Sequence, residues 1–238
     1  MEGMGELAMQ LFCFTFAGGT ASFFDPLESH LGEGIVLHKL EYAGHGKRHG
    51  EPFYRDFEEL SGDLLRQFLQ EDAFGVPYAM FGYSMGSIAC VEVLKKIVGL
   101  KLPLPRCVFL AAHAPCGKEE LEGYSSQELD EIVKERTLAF GGVPEALANN
   151  SLFWRTYLPV YKADYTLIAN YPFTPPQLAF PVPAIVFYSE QDTPYKTMLR
   201  WGAWFAHSVS FHAFDGNHFF IQHHRSEVAR IIKQTLMN

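Results

Sequence analysis

The chain has little positive charge and no long apolar run. Its 238 residues include 19 Lys and Arg against 27 Asp and Glu, a formal net charge of −8. No basic cluster offers a cationic face for nucleic acid, and no stretch of 18 apolar residues indicates a membrane-spanning helix. Met1 to Gln10 carries two Glu and neither Lys nor Arg, which is unlike a secretory signal. We therefore expect a cytoplasmic protein that binds neither nucleic acid nor membrane.

Cysteine is also scarce, and its four positions form no C-x-x-C pair: Cys13, Cys90, Cys107 and Cys116. The first three lie in apolar segments, which favours buried free thiols in a reducing compartment. A metal site built from widely spaced cysteines is not indicated. We expect neither a metal nor a redox cofactor.

Apolar residues, in contrast, make up 48% of the chain and include 21 Phe, enough for a large core and an apolar ligand pocket. Strand-like and helix-like segments alternate. The predicted strands cover 10–14, 35–42, 76–81, 106–112, 183–188 and 208–214, and the main predicted helices cover 56–70, 87–98, 125–140, 149–171 and 225–236. This alternation predicts an α/β fold in one domain, 1–238, with a mainly parallel sheet covered by helices on both faces.

One long segment interrupts the alternation. Between 114 and 180 the pattern is helical and contains no convincing strand. We interpret 115–180 as a helical lid inserted over the carboxyl edge of the strands, where ligand sites of such sheets form. The alternative is a helical subdomain that only packs against the rest.

The pentapeptide Gly82-Tyr83-Ser84-Met85-Gly86 follows an apolar strand-like run and precedes an apolar helix. This G-x-S-x-G layout is typical of a nucleophile elbow, in which a sharp turn exposes the serine hydroxyl beside a helix N-terminus. A tight turn without catalytic function is the alternative. The flanking elements favour Ser84 as a nucleophile.

A serine nucleophile needs a histidine base and a carboxylate that orients the histidine. In α/β-hydrolases the chain order is serine, acid, histidine. Asp192 and His218 fit this order, because each lies in the loop after a late predicted strand. Glu190 and Asp215 are alternative acids, and His113 could line the site although its place in the order is wrong for the base.

The oxyanion of an acyl-transfer reaction needs two preorganised N–H donors. We predict the amide of Met85, directly after the nucleophile, as one donor. The second is predicted in the glycine turn Phe16-Ala17-Gly18-Gly19, from Ala17 or alternatively from Phe16. An ordinary strand-to-helix turn is the other interpretation of these glycines.

Four segments together resemble the type II thioesterases of nonribosomal peptide and polyketide synthesis, which have the α/β-hydrolase fold. The resemblance is carried by 12–24 around the glycine turn, 81–86 around Ser84, Leu158-Pro159-Val160-Tyr161-Lys162-Ala163-Asp164-Tyr165, and Gly216-Asn217-His218-Phe219-Phe220. It extends from about Leu11 to the C-terminus. The chain departs from the family pattern at Thr15, where the family usually has Pro, and at Tyr83, where it usually has His. It departs again at Ala43-Gly44-His45, where the family usually has Pro-Gly-Arg.

The resemblance implies hydrolysis of acyl groups from the phosphopantetheine arm of acyl or peptidyl carrier proteins, without a cofactor. We expect a monomer in which Phe16, Tyr83 and Phe219 contact the substrate. Because carriers are generally acidic, local cations are expected to assist docking; the candidates are Lys47, Arg48, Arg155, Lys162 and Arg200. The alternatives are a medium-chain acyl-carrier or acyl-CoA thioesterase, a carboxylesterase, or a non-catalytic binding protein of hydrolase fold.

Overall fold

The computed structural model describes residues 8–116, 121 and 124–237. Within them, six strands form one parallel sheet in the order β2-β1-β3-β4-β5-β6. The strands are β1 (Met9–Phe14), β2 (Ile35–Lys39), β3 (Tyr78–Tyr83), β4 (Val108–Ala111), β5 (Ala184–Tyr188) and β6 (Val209–Ala213). Phe14 pairs with Gly82 and Tyr83 with Ala111, so the carboxyl ends of β1, β3 and β4 meet at one edge.

The described helices are α1 (Asp25–Leu31), α2 (Phe57–Gln70), α3 (Met85–Gly99), α4 (Ser126–Ala139), α5 (Glu145–Ala148), α6 (Ser151–Asn170), α7 (Tyr195–Met198) and α8 (Arg225–Met237). Helices α2 and α3 pack on one face of the sheet, and α1 and α8 pack together on the other. No helix in the described ranges is both long and apolar enough to cross a membrane.

Alternation along the strands divides the apolar residues between two cores. Phe12 and Phe14 of β1 belong to the core under α2 and α3, whereas Leu11 and Cys13 belong to the core under α1 and α8. All four are fully buried. A parallel strand covered by helices on both faces has no solvated side, which explains the continuous apolar runs. The predicted α/β architecture, a parallel sheet covered by helices on both faces, is confirmed.

The segment that interrupts the predicted alternation contains the helices α4, α5 and α6 and lies between β4 and β5. Residues 117–120, 122 and 123 of this segment lie outside the described residues, and so do residues 1–7. Helix α4 has a complete capping box, in which Ser125 Oγ accepts from the Glu128 amide and the Glu128 carboxylate accepts from the Ser125 amide. This cap fixes the start of α4 as predicted.

Two local predictions were inaccurate. The strand predicted over 35–42 ends at Lys39, and the chain then turns so that the Tyr42 hydroxyl donates to the Thr15 carbonyl oxygen at 2.8 Å. The sequence also predicts a capping box for α2, from Asp56 with Glu59 three residues later. Asp56 does cap α2 by accepting from the Glu59 amide, but the Glu59 carboxylate accepts from the Arg55 amide instead of the Asp56 amide. The short helix α1 was not predicted, because its seven residues are too few for a clear helical period.

Candidate active site

Ser84 occupies the sharp turn between β3 and α3 with φ 54° and ψ −121°. This left-handed conformation is costly for a residue with a side chain and is retained where the surroundings enforce it. A Cβ atom on Gly82 would be 2.3 Å from the Gly86 carbonyl oxygen, and one on Gly86 would be 2.0 Å from the Phe14 carbonyl oxygen. Both glycines are therefore required by close backbone packing around the serine.

Ser84, His218 and Asp192 form one hydrogen-bonded chain. His218 Nε2 lies 2.9 Å from Ser84 Oγ, and His218 Nδ1 lies 2.9 Å from Asp192 Oδ1. Asp192 follows β5 and His218 follows β6, and the three side chains are almost completely buried. The carboxylate fixes Nδ1 as the protonated nitrogen, which leaves Nε2 able to accept the serine proton.

The alternative acids have other partners. The Glu190 carboxylate accepts from the Tyr195 amide at 3.1 Å, which closes the loop after β5. Asp215 is exposed, and its carbonyl oxygen lies 3.0 Å from His224 Nε2. The geometry therefore favours Asp192 over both.

The glycine turn after β1, Phe16-Ala17-Gly18-Gly19, adjoins the same cavity as Ser84. The Gly19 amide donates to the Phe16 carbonyl oxygen at 2.9 Å, and Gly18 has φ 75°. The Gly18 amide donates to Asp164 Oδ2 at 2.6 Å, so it cannot serve as an oxyanion donor. Within the described part of the chain, the Ala17 amide has no acceptor, and Ala17 lines a cavity together with Ser84. The Met85 amide lies at the N-terminus of α3, where a helix leaves its first amides unpaired.

Two cavities adjoin Ser84, and Phe140, whose ring centre lies 4.5 Å from that of His218, lines both of them. The smaller has a volume of about 20 Å³. It is lined by Phe16, Ala17, Ser84, His218 and Phe219, which lie in loops after the strands, and by the insertion residues Thr137, Phe140, Gly142, Tyr161 and Tyr165. The larger, of about 210 Å³, extends past His113, Cys116 and Ile168. Burial lowers the pKa of His113 to about 4, so this ring is neutral near pH 7.

Of the predicted substrate contacts, Phe16 and Phe219 line the smaller cavity. Tyr83 is fully buried beneath the turn, and its hydroxyl donates to the His218 carbonyl oxygen at 2.6 Å. Tyr83 therefore contacts the histidine loop rather than a ligand. The sequence did not reveal Phe140, Tyr161 and Tyr165, because aromatic residues on a helix have the same pattern whether they pack in a core or line a cavity.

The predicted docking cations differ in their surroundings. Arg48 is bound to the carboxylates of Glu51 and Asp63, each at 2.6 Å. Lys162 is paired with Asp130 of α4 at 2.5 Å. Lys47, Arg155 and Arg200 are exposed. Two of the five candidate docking cations, Arg48 and Lys162, are therefore engaged in ion pairs within the fold.

A parallel sheet with a strained serine turn after β3 and an acid and a histidine after the last two strands defines an α/β-hydrolase. The sequence matches the family described as "Thioesterase domain" over residues 9–236. The chain belongs to this thioesterase domain family.

Two curated relatives and one solved structure illustrate the relationship. The chain is 29% identical to a probable cadicidin biosynthesis thioesterase of Streptomyces griseus over 96% of its own length, but it spans only 63% of that relative. It is 27% identical to a medium-chain S-acyl fatty acid synthase thioesterase of Rattus norvegicus, over 91% of this chain and 82% of the relative. The crystal structure of ClbQ from the colibactin NRPS/PKS pathway superposes with a TM-score of 0.87 at 25% identity, covering 97% and 98% of the two chains.

Proposed function

We propose that this protein is a type II thioesterase, which hydrolyses acyl thioesters on the phosphopantetheine arm of carrier proteins and so clears stalled or misprimed carriers of a nonribosomal peptide or polyketide synthase. The observation that carries the proposal is the hydrogen-bonded chain from Ser84 through His218 to Asp192, with 2.9 Å at each contact, in a member of the thioesterase domain family. The similarity to a cadicidin biosynthesis thioesterase and to ClbQ supports the substrate class.

In the proposed reaction, Ser84 Oγ attacks the thioester carbonyl carbon while its proton passes to His218 Nε2. The amides of Met85 and Ala17 stabilise the oxyanion, and the Asp192 carboxylate stabilises the imidazolium. The C–S bond then breaks, and the thiol leaves with the proton from His218. A water molecule, deprotonated by His218, attacks the acyl-enzyme and releases the carboxylic acid and free Ser84.

We further propose that 115–180 acts as a lid, since Phe140 and Tyr161 of this segment form one side of the smaller cavity. The carrier would bind near the exposed Arg155 of α6. Because the whole protein carries a charge of −8, attraction of an acidic carrier must come from local cations. Arg155→Glu should lower turnover of an acyl carrier more than turnover of a small acyl thioester; equal effects on both would contradict docking at this position.

The test is hydrolysis of one acyl group presented on a carrier protein, on coenzyme A and as an oxygen ester. We expect the highest kcat/KM with the carrier, and Ser84→Ala should abolish turnover of all three while the thermal transition is retained. Ser87→Ala is the matched control, because Ser87 Oγ donates to the Gly82 carbonyl oxygen at 3.0 Å and is structural. Preference for the oxygen ester would indicate a carboxylesterase. Failure of a fluorophosphonate to label Ser84 would indicate a non-catalytic protein.

A second candidate is release of medium-chain fatty acids from a fatty acid synthase, which the similarity to the rat enzyme favours. The two functions differ in acyl preference and in carrier. A panel of acyl chains of two to twelve carbons on fatty acid and on synthase carriers separates them. A sharp optimum at medium chains on the fatty acid carrier would favour the second candidate.

A further inference from the structure

A buried acid–base pair joins helix α6 to the glycine turn beside Ser84. Asp164 of α6 is 2% exposed, and its Oδ2 atom accepts from the Gly18 amide at 2.6 Å. The same oxygen lies 2.9 Å from Nε2 of His45, which is 3% exposed. One carboxylate oxygen thus contacts both the turn that carries Ala17 and a buried imidazole.

The partners of His45 determine its protonation. Its Nδ1 atom lies 3.0 Å from the Ala43 carbonyl oxygen, which can only accept, so Nδ1 carries a proton. Its Nε2 atom faces the Asp164 oxygen. With a second proton on Nε2 the ring is an imidazolium that donates to the Asp164 carboxylate, and the raised pKa of His45 favours this form. A buried carboxylate is tolerated when it is paired in this way.

The electrostatic surroundings agree with this assignment. Burial alone would lower the pKa of His45, but the Asp164 carboxylate, the Ala43 carbonyl and the more distant Glu41 raise it above its usual value. The aromatic rings of Tyr42 and Phe53 also face the imidazole. Burial raises the pKa of Tyr42 well above its usual value, so Tyr42 stays neutral near pH 7.

Helix α6 contacts the same turn a second time. A Cβ atom on Gly18 would be 2.0 Å from the ring of Tyr161, so the ring lies directly against this glycine. Burial raises the pKa of Tyr161 to about 12, and its hydroxyl is neutral near pH 7. The Gly18 backbone is therefore held by Tyr161 on one side and by Asp164 at its amide, while the amide of the preceding Ala17 is left for the substrate.

We propose that Asp164 and His45 are positioning residues for the oxyanion site: the carboxylate, paired with the imidazolium, fixes the Gly18 amide and thereby the orientation of the Ala17 N–H. This inference rests on the proposed acyl-transfer function and deepens it. It couples the inserted helix α6 to the catalytic step, because a displacement of α6 releases the turn. Oxyanion donors act through preorganisation in the transition state, so loss of the pair lowers kcat rather than substrate binding.

The pair also implies a pH dependence. The stabilisation that the Asp164–His45 ion pair gives to the glycine turn is complete below the ordinary pKa of histidine. It is lost as the pH rises through the raised pKa of His45. His45→Gln removes the cation at every pH, whereas His45→Arg keeps it. The longer side chain has space, since a cavity of about 390 Å³ adjoins His45 between the turn and α6.

The experiment compares Asp164→Asn, His45→Gln and His45→Arg on a small acyl thioester from pH 6 to 10. We expect at least a tenfold lower kcat with little change in KM for the first two variants, and a kcat near that of the wild type for His45→Arg, with its decline at alkaline pH moved upward. Asp130→Asn is the control, because it breaks the α4–α6 ion pair with Lys162 and leaves the turn untouched.

Two further measurements keep the inference testable if a variant unfolds or if the substrate class is wrong. The Gly18 amide resonance, shifted downfield by a carboxylate acceptor, should move in Asp164→Asn and stay in His45→Arg. The rate of Ser84 labelling by a fluorophosphonate should follow kcat. No thioester turnover by the wild-type protein would contradict the proposed function and leave the labelling rates to test the pair. If Ser84 is labelled at the wild-type rate in both Asp164→Asn and His45→Gln, the proposed positioning role of Asp164 and His45 is wrong.

Discussion

The Tyr83 hydroxyl donates a 2.6 Å hydrogen bond to the main-chain carbonyl oxygen of His218, and so ties the residue before the nucleophile to the backbone of the base. Tyr83 is fully buried, and its ring lies nearly parallel to that of Phe219. The Tyr83 hydroxyl thus fixes the backbone of the loop that carries His218. We expect loss of this hydrogen bond to affect both stability and turnover.

Tyr83→Phe should lower both stability and turnover. The His218 carbonyl would lose a buried donor, which costs about 1–3 kcal/mol and lowers the thermal transition by several degrees. The loosened loop should lower kcat about three- to tenfold. Tyr78→Phe is the matched control, because Tyr78 lies on the same strand and donates to the Pro103 carbonyl oxygen at 2.6 Å, away from the site. An equal loss of kcat in both variants would show that only stability is involved.

Asp192→Asn should reduce kcat on the order of 10³- to 10⁴-fold, because an amide no longer fixes the tautomer of His218 or stabilises its cation. Asp215→Asn should stay within about twofold of the wild-type rate, since Asp215 is exposed and is not bonded to His218. Steady-state kinetics on a small acyl thioester provide the comparison. The opposite ranking of the two variants would assign the acid to Asp215.

Phe140→Ala should shift the preference toward longer or branched acyl groups. The ring lines both the cavity of about 20 Å³ and the cavity of about 210 Å³ beside Ser84, so its removal should enlarge the space next to the nucleophile. We expect the ratio of kcat/KM for a decanoyl over an acetyl thioester to rise about tenfold or more. Leu138→Ala, an exposed position of the same helix, should leave the ratio unchanged. An unchanged ratio in Phe140→Ala would mean that the acyl group does not enter these cavities.

The parts of the site whose arrangement can be expected from the sequence are those that local chemistry encodes. Apolar runs of strand length, the two glycines around Ser84, and an acid and a histidine directly after β5 and β6 all follow from short segments. Parallel strands align their carboxyl ends, so residues more than 100 positions apart can be brought together by order alone.

The remaining parts depend on tertiary contacts that no local pattern reveals. The Asp164–His45 contact joins residues 119 positions apart, and neither residue lies in a motif for such a pair. Phe140 occupies the end of α4, where an aromatic residue is equally suited to core packing. Arg48 and Lys162 are residue types that usually lie at the surface as solvated cations. In the fold, Arg48 is paired with Asp63 and Lys162 with Asp130. The docking surface for a carrier stays a prediction.

His113→Phe should make the fold less sensitive to acid. Burial lowers the pKa of His113 to about 4, below its usual value near 6.5. The unfolded chain therefore binds a proton more readily than the folded one between these two pH values. The resulting stabilisation is complete above pH 6.5 and is lost at up to about 1.4 kcal/mol per pH unit as the pH falls toward 4.

Phenylalanine keeps the stacking of this ring on Phe173, whose plane lies within 13° of it, and removes the titration. Urea denaturation at pH 7 and pH 5 should show a smaller loss of unfolding free energy for His113→Phe than for the wild-type protein. The exposed His30→Gln serves as the control and should follow the wild type. An equal acid-induced loss in His113→Phe would show that the ring is hydrated and protonates freely, and the cavity beside Ser84 would then be more polar than its lining indicates.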